Sequence, residues 1–269
     1  MVNRRFPNWG YKGRPPRTLG TEGDVNSETL QGVKNHEEAY MFKIHNTAEY
    51  PQDGLLQYVD KRFYTSGSTW ADQSGNGYNM TINGTVTQST SYGGTTGTFH
   101  FAQGQTSKWL NMGTAIRNLS SASAWSMVFV SRASFGGNRY GLSIANSGNN
   151  NLHIIGNDSE WKSWKNGIDN SSQPGTYQMF VYYYNGTNAK LYESRSGGIT
   201  HNVGGTQSDI RSNSYFVLNQ EQDANLGSFD ANQSSDWYIS AFMLYDKVLS
   251  STERTELQSY FVANYPIAT

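Results

Sequence analysis

One short stretch of the sequence collects side chains that could bind a cation or transfer protons. Residues 219–233, NQEQDANLGSFDANQ, carry three carboxylates in a chain of which only 15% is charged. Carboxylate and amide oxygens are preferred calcium ligands, and a close pair of carboxylates is what glycoside hydrolysis needs. The stretch therefore indicates a cation site or a hydrolase site, unless its acids only cap turns on a solvated loop.

The residue types in this stretch suffice for one calcium ion, which takes roughly six to eight oxygen ligands. Glu221, Asp223 and Asp230 offer carboxylates, Gln233 offers an amide oxygen, and Gln222 could contribute its backbone carbonyl. We predict that these residues converge at the edge of the domain and bind calcium weakly.

The segments that would position this stretch are short strands. Runs such as WSMVFVS and YQMFVYYY are rich in β-branched and aromatic residues, and Gly/Asn/Ser turns separate them. This texture favours an antiparallel sandwich or jelly roll. Within WYISAFMLY, strict alternation predicts one face made of Trp237, Ile239, Ala241, Met243 and Tyr245.

A single helix is predicted at the C-terminal end of the domain. Ser250 stands three residues before Glu253, the spacing of a capping box, and Pro266 follows the apolar periodicity. We expect the helix at about residues 251–262.

Two segments resemble concanavalin A-like domains of the laminin-G/pentraxin type. DGLLQYVDKRFYTSGSTWADQSGNGYNMTINGTV is similar to their opening strand and W-x-D-x-S-G-N-G turn, and WYISAFMLYDKVLSSTERTEL to their penultimate core strand and closing helix. The resemblance covers about residues 53–264. It implies an all-β, two-sheet antiparallel jelly-roll sandwich over residues 51–269.

The pentraxin resemblance also implies a calcium site. Glu221, Gln222, Asp223, Asp230 and Gln233 stand at positions that match the family's calcium-binding segment, with Asn219 in place of a glycine. By the same resemblance a second loop would contribute Asn149 and Asn150, where the family has Asp-Asn. The loss of a carboxylate implies weak binding, or one ion instead of two.

Catalysis is not expected from these residues. Glycoside hydrolases of this fold carry E-x-D-x-x-E or E-x-D-x-E, and Glu221-Gln222-Asp223 supplies only the first half, without the second glutamate. The five histidines have no zinc-site spacing, and the chain has no cysteine. Trp161 and Trp164 could stack on a sugar, or could be half-buried sandwich residues.

Residues 1–50 are predicted to form an extended docking arm, because apolar periodicity is absent until about residue 39 and Pro15 and Pro16 disfavour a helix. The alternative is a disordered, solvated tail. The arm is basic and then acidic. Its expected contacts with a partner are four arginines and three aromatic anchors: Arg4, Arg5, Arg14, Arg17, Phe6, Trp9 and Tyr11. Its start has no apolar run, so no secretory signal is predicted.

The net charge of −1 argues against nucleic acid or an anionic membrane as the partner of the whole chain. A cysteine-free sandwich with such an arm resembles laminin-G or lectin-like structural proteins of tailed bacteriophages. This implies a non-enzymatic virion component of the capsid, tail or fibre. It would dock on other virion proteins or copies of itself and display a domain for host glycans. The alternatives are a free calcium-assisted lectin module and, third, a glycoside hydrolase.

Overall fold

The computed structural model describes residues 49–134, 139–146, 149–157, 160–163, 175–195, 198–204, 210, 212–222, 224 and 226–269. Over these residues the chain is a sandwich of two antiparallel sheets with one C-terminal helix. The predicted two-sheet jelly-roll fold class is confirmed. The docking arm lies outside the described residues, except for its last two, so its form and boundary stay predictions.

The elements follow one another along the chain as fifteen strands and a final helix among the described residues. They are β1 (Leu55–Asp60), β2 (Thr69–Trp70), β3 (Met80–Asn83), β4 (Thr87–Ser89), β5 (Thr98–Phe101), β6 (Trp109–Asn111), β7 (Trp125–Ser134), β8 (Arg139–Asn146), β9 (Asn149–Asn157), β10 (Glu160–Ser163), β11 (Gln178–Tyr184), β12 (Ala189–Glu193), β13 (Ile199–Gly204), β14 (Tyr215–Leu218), β15 (Asp236–Tyr245) and α1 (Ser251–Val262). Short 3₁₀ helices lie at Lys61–Phe63, Ala115–Ser121 and Ala231–Gln233. No helix among the described residues is long and apolar enough to cross a membrane.

The two sheets differ in size and in what covers them. The first sheet has eight strands in the order β13-β12-β11-β7-β15-β5-β4, and β1 also pairs with β15. The second has seven strands in the order β10-β9-β8-β14-β6-β3-β2. Their facing sides form an inner apolar layer that includes three buried tryptophans: Trp70, Trp125 and Trp237. Part of the outer side of the first sheet is covered by α1.

The central strand β15 contains a bulge, which changes the face that its alternate residues occupy. Its register with β7 shifts between Ile239 and Ala241. As a result, Trp237 and Ile239 lie in the inner layer, whereas Met243 lies in the outer layer beneath α1. The predicted single face of Trp237, Ile239, Ala241, Met243 and Tyr245 is therefore wrong. An extra residue in one strand reverses the direction of every side chain beyond it.

Helix α1 begins and ends close to the predicted residues. The Ser250 side chain accepts from the backbone N–H of Glu253, and the Glu253 carboxylate accepts from the N–H of Ser250, which makes the predicted capping box. Leu257, Tyr260 and Phe261 are buried against the outer layer. The predicted closing helix is confirmed, and its packing shields part of one side of the first sheet from water.

The W-x-D-x-S-G-N-G turn is held against β1. The Asp72 carboxylate accepts from the backbone N–H groups of Tyr58, Ser74 and Tyr78. Asn76 Nδ2 donates to the carbonyls of Leu55 and Leu56. These polar residues therefore fasten the connection between β2 and β3 to the neighbouring sheet.

A buried carboxylate connects β1 with the C-terminal segment. Asp60 is 0% exposed. It accepts hydrogen bonds from Tyr58 Oη at 2.7 Å and from Tyr265 Oη, and it pairs with Arg62 Nη2 at 2.7 Å. Tyr260 Oη joins the same network through Arg62 and Tyr58.

Two tyrosines of this network, Tyr58 and Tyr265, stay protonated. Burial raises the pKa of Tyr58 and of Tyr265, and the charge of Asp60 raises both further. Burial alone would lower the pKa of Arg62, but its hydrogen bonds to Asp60 raise it above the ordinary value. The phenols are therefore retained as donors, and the guanidinium retains its charge.

Replacing Asp60 should strongly destabilise the domain. We expect Asp60→Asn to lower the free energy of unfolding by about 3–5 kcal/mol, because it leaves the Arg62 guanidinium, whose side chain is only 19% exposed, without its counter-ion. Guanidinium or urea unfolding of the full chain measures this loss. The matched control is Asp53→Asn, whose carboxylate is 89% exposed and pairs with Lys247, and it should cost no more than about 1 kcal/mol. Equal losses in the two variants would contradict the prediction.

Candidate functional site

The predicted calcium segment after β14 begins by turning into the sandwich. Asn219, Gln220 and Gln222 are 0% exposed and Glu221 is 3% exposed. Asp230, in contrast, is exposed. The two described acids thus lie in different environments, and Asp223 lies outside the described residues.

Gln222 has a structural role in this segment. Its Nε2 donates to the carbonyl and to the hydroxyl of Ser143, both at 3.1 Å. Its Oε1 accepts from the backbone N–H of Leu226 at 3.0 Å. One buried amide side chain therefore joins the loop to β8 and shapes the turn that follows.

The loop adopts a backbone conformation that non-glycine residues seldom take. Asn219, Leu226 and Ser228 have positive φ angles of 70°, 54° and 56°. Such residues cost of order 1–3 kcal/mol each and persist only where their surroundings hold them. For Leu226 that restraint includes the hydrogen bond to Gln222. Strain of this kind is common at ligand-binding loops, so the loop remains a candidate site.

Two buried oxygen atoms in loop 219–233 are suited to bind a cation, but the described acidic side chains do not gather around one. Gln220 Oε1 and Gln233 Oε1 are buried and make no hydrogen bond, and amide oxygens of this kind can ligate calcium. However, no group of three or more His, Asp or Glu side chains within the described part of the chain is placed to hold a metal. Asn149 and Asn150 lie in β9, where only the backbone is described. Convergence of the predicted ligands therefore stays a prediction.

A cleft of about 260 Å³ lies at one end of the inner layer. Three separate parts of the chain line it: the end of the 3₁₀ helix Ala115–Ser121 with the residues that follow, the end of β11 with its turn, and Ile210. The lining residues are Leu119, Ser120, Ser121, Ala122, Ser123, Trp125, Tyr184, Gly186 and Ile210.

The cleft has an apolar floor and a hydroxyl rim. Trp125 and Tyr184 belong to the inner layer, and their ring centroids are 6.1 Å apart. Ser120, Ser121 and Ser123 are exposed. Trp125 and Tyr184 are only 1% and 8% exposed, so the surface open to a ligand is mainly the serine rim, whose hydroxyl groups suit a ligand with several hydrogen-bonding groups, such as a sugar ring.

The turn between β11 and β12 depends on a glycine. Gly186 has a φ of +88°, and a Cβ atom there would lie 3.1 Å from the carbonyl oxygen of Ser123. The Asn185 side chain accepts from the backbone N–H groups of Thr187 and Asn188 and so holds the turn. The missing side chain thus lets the turn approach the serine rim.

A second polar cluster, the outer-face cluster of Tyr92, His100, Arg132, Asp236 and Tyr238, lies on the opposite side of the first sheet. His100 Nε2 is 2.6 Å from Asp236 Oδ1, and the His100 and Tyr238 rings stack at 4.1 Å. The Arg132 guanidinium lies 5.3 Å from the centroid of Tyr92 and pairs with Asp236 at 3.4 Å. The His-Asp pair is thus separated from the cleft by the sheet itself.

Sequence reasoning missed both the cleft and the outer-face cluster. Their residues are distant in sequence, and only the register of β5, β7 and β15 places His100 beside Tyr238 and Tyr238 beside Arg132. The signals that could have indicated the cleft are the SSAS run at 120–123 and the Asn185-Gly186 turn. Trp161 lies in β10, where only its backbone is described, and Trp164 lies outside the described residues, as do the arm residues.

Comparisons with known proteins identify a fold and no family. No protein-family model matches the sequence, and no curated protein matches it. Among solved structures, a mutant of Trypanosoma rangeli sialidase displaying trans-sialidase activity is similar with a TM-score of 0.53 and 14% identity, over 90% of this chain and 40% of that one. The T. rangeli sialidase in complex with the inhibitor DANA gives 0.54 and 12%, over 85% and 38%. The binding domain of botulinum neurotoxin serotype C1 gives 0.50 and 18%, over 77% and 52%.

These likenesses are structural and partial. The chain spans about two fifths of the sialidase structures and about half of the neurotoxin domain. They show that the sandwich is shared by an enzyme and by a binding domain, so the fold alone does not distinguish catalysis from binding.

The calcium prediction can be tested by thermal unfolding of the full chain in millimolar calcium and in chelator. Binding to the native state should stabilise it by about 1.4 kcal/mol at tenfold excess over Kd, which raises Tm by roughly 3–6 °C for a domain of this size. Asp223→Asn and Asp230→Asn should each reduce the shift, whereas Glu256→Gln, an exposed acid on α1, should not. An unchanged Tm in the original chain, or a full shift in both Asn variants, would favour the solvated-loop interpretation.

Proposed function

We propose that this chain is a non-enzymatic carbohydrate-binding protein and that the cleft beside Trp125 and Tyr184 is its sugar site. The observation that carries the proposal is the composition of the cleft, with apolar residues below and three serines at its rim. No carboxylate, histidine, lysine or arginine is among the described residues that line it. The cleft therefore offers contacts to a sugar without groups for acid-base chemistry.

Hydrolysis of a glycosidic bond places demands that this cleft does not meet. It requires two carboxylates on either side of the bond in most hydrolase families, or another acid-base pair within hydrogen-bond reach of the reacting atoms. The His100-Asp236 pair faces the other side of the first sheet, and Glu221 is 3% exposed. Binding is the function that these described residues support.

The size of the cleft favours a small ligand. Its volume of about 260 Å³ is below the range of roughly 300–1,000 Å³ that is usual for small-molecule pockets. One terminal sugar ring is thus a better match than a buried oligosaccharide. Contacts with one ring are weak, and several copies of the domain would be needed for firm attachment to a surface.

A variant that fills the cleft should weaken sugar binding. Ser121 lies at the rim and is exposed, so Ser121→Trp should leave the fold intact and weaken binding at least tenfold, or about 1.4 kcal/mol. The binding of a panel of neutral and acidic glycans to the full chain is measured by ligand-observed NMR. Ser66→Trp, at an exposed serine outside the cleft, is the matched control. If the two variants bind equally well, the cleft is not the site.

We also propose that the chain is a virion component of a tailed bacteriophage, with weak calcium binding in loop 219–233 as a structural aid. The support is the phage-like resemblance of the sequence and the composition of residues 1–50, with arginines and aromatic residues suited to a protein interface. Assembly through the arm would place many copies of the cleft on one particle. Weak contacts with single sugars would then add up to stable attachment.

Deletion of residues 1–40 tests the docking arm. The truncated chain should lose self-assembly and incorporation into particles while its sandwich stays folded, because the described core is built from residues after 49. Sedimentation and particle composition measure assembly, and circular dichroism measures the fold. Incorporation at the level of the full chain would contradict the docking role and would favour a free lectin module if sugar binding persists.

A further inference from the structure

We infer that the sugar bound in the cleft is uncharged, and that sugars carrying a carboxylate, such as uronic or sialic acids, are excluded. The inference rests on the proposed function of the same cleft and names the class of sugar it takes. Two independent features of the described residues support it. The first is the position of the arginine in the 3₁₀ helix that lines the cleft, and the second is the direction of that helix.

The first feature is that the Arg117 side chain makes its contacts away from the cleft. Arg117 belongs to the 3₁₀ helix Ala115–Ser121, whose last residues line the cleft. Its Nε donates to the carbonyl of Ser214 at 3.1 Å, and its guanidinium lies 4.6 Å from the centroid of Tyr215. Its charge is therefore used against β14 and not in the cleft.

Among the described residues that line the cleft, a carboxylate would then find no cation. A charged group that leaves water without a counter-ion carries a large desolvation cost, and serine hydroxyls compensate it only in part. An uncharged ring loses much less hydration on the same surface. The described lining thus selects against a charge on the ligand.

The second feature is the direction of the 3₁₀ helix. Leu119, Ser120 and Ser121 form its carboxyl end, and no basic residue lies in its last turn. The carbonyl end of a helix carries a partial negative charge, which attracts cations and repels anions. An anionic sugar at this end would meet repulsion in addition to its desolvation cost.

Matched pairs of sugars test the inference on the full chain. Methyl glucoside and methyl glucuronide, and the corresponding galactose pair, differ only at C6, where the neutral sugar has a hydroxymethyl group and the uronide a carboxylate. Ligand-observed NMR compares their dissociation constants. We expect at least one neutral member to bind at least tenfold more tightly than its uronic partner. Its affinity should not change between about 0.05 and 0.5 M salt, because no charge is screened.

A gain-of-function variant strengthens the test. Ser121→Arg places a cation at the rim and should improve uronide binding by about tenfold, the size of effect expected from one hydrogen bond between charged groups. The neutral sugar should change less than threefold. Arg211→Gln is included because Arg211 follows Ile210 in sequence and lies outside the described residues. This variant should leave the preference for the neutral sugar unchanged.

The outcomes separate this inference from the proposed function. Uronide or sialic acid binding that equals or exceeds neutral binding, and that Ser121→Trp removes, would overturn the inference and leave the carbohydrate site standing. The inference is also overturned, and the carbohydrate site also stands, if uronide or sialic acid binding at or above the neutral level disappears in Arg211→Gln. If no sugar of either class binds, the proposed function fails and the inference fails with it.

Discussion

The buried carboxylate of Asp60 is the interaction on which the outer half of the structure depends. Asp60 ends β1, and its partners come from the adjacent 3₁₀ helix and from the segment after α1. A charge that is 0% exposed is tolerable only when a counter-ion and hydrogen-bond donors surround it. Arg62, Tyr58 and Tyr265 meet that requirement. They also bring the two ends of the sandwich domain together over the first sheet.

The position of α1 requires an apolar outer face beneath it, and the bulge in β15 decides which of its residues form that face. Before the bulge, Tyr238 and Asp236 lie on the outer side; after it, Ala241, Met243 and Tyr245 do. The bulged residue, Ser240, is buried, accepts from Tyr177 Oη and donates to the carbonyl of Gly97. One strand can therefore carry a polar outer surface at one end and a helix-covered surface at the other.

The cleft forms where the inner layer meets its connections. Its floor is part of the same apolar layer that holds the sheets together, so the floor is rigid. Its rim comes from exposed serines and from a glycine turn, and these can differ without loss of the core. A stable apolar floor with a polar rim is a common arrangement for ligand recognition, because the scaffold positions contacts that the loops supply. The sheet also keeps the His100-Asp236 pair away from this cleft.

Much of the fold follows from local sequence. Strand texture and the Ser250-Glu253 capping box each depend on residues close together in the chain, and each was predictable for that reason. The Asp72 turn was expected only from the resemblance, and its contacts reach back to Leu55 and Tyr58. The reversal of faces in β15 was not, because a single extra residue leaves no mark on an alternating apolar pattern.

The candidate sites, like the fold, were predictable from the sequence only in part. The composition of residues 219–233 indicated a ligand-binding loop, but burial of Glu221 and the contacts of Gln222 with Ser143 depend on strands far away in sequence. The cleft joins Leu119, Tyr184 and Ile210, which only the packing of the two sheets brings together. By itself the sequence determined which segments form strands, turns and the helix, since those depend on neighbouring residues. The tertiary structure alone decided which polar groups are buried and which surfaces meet, because burial is a property of distant contacts.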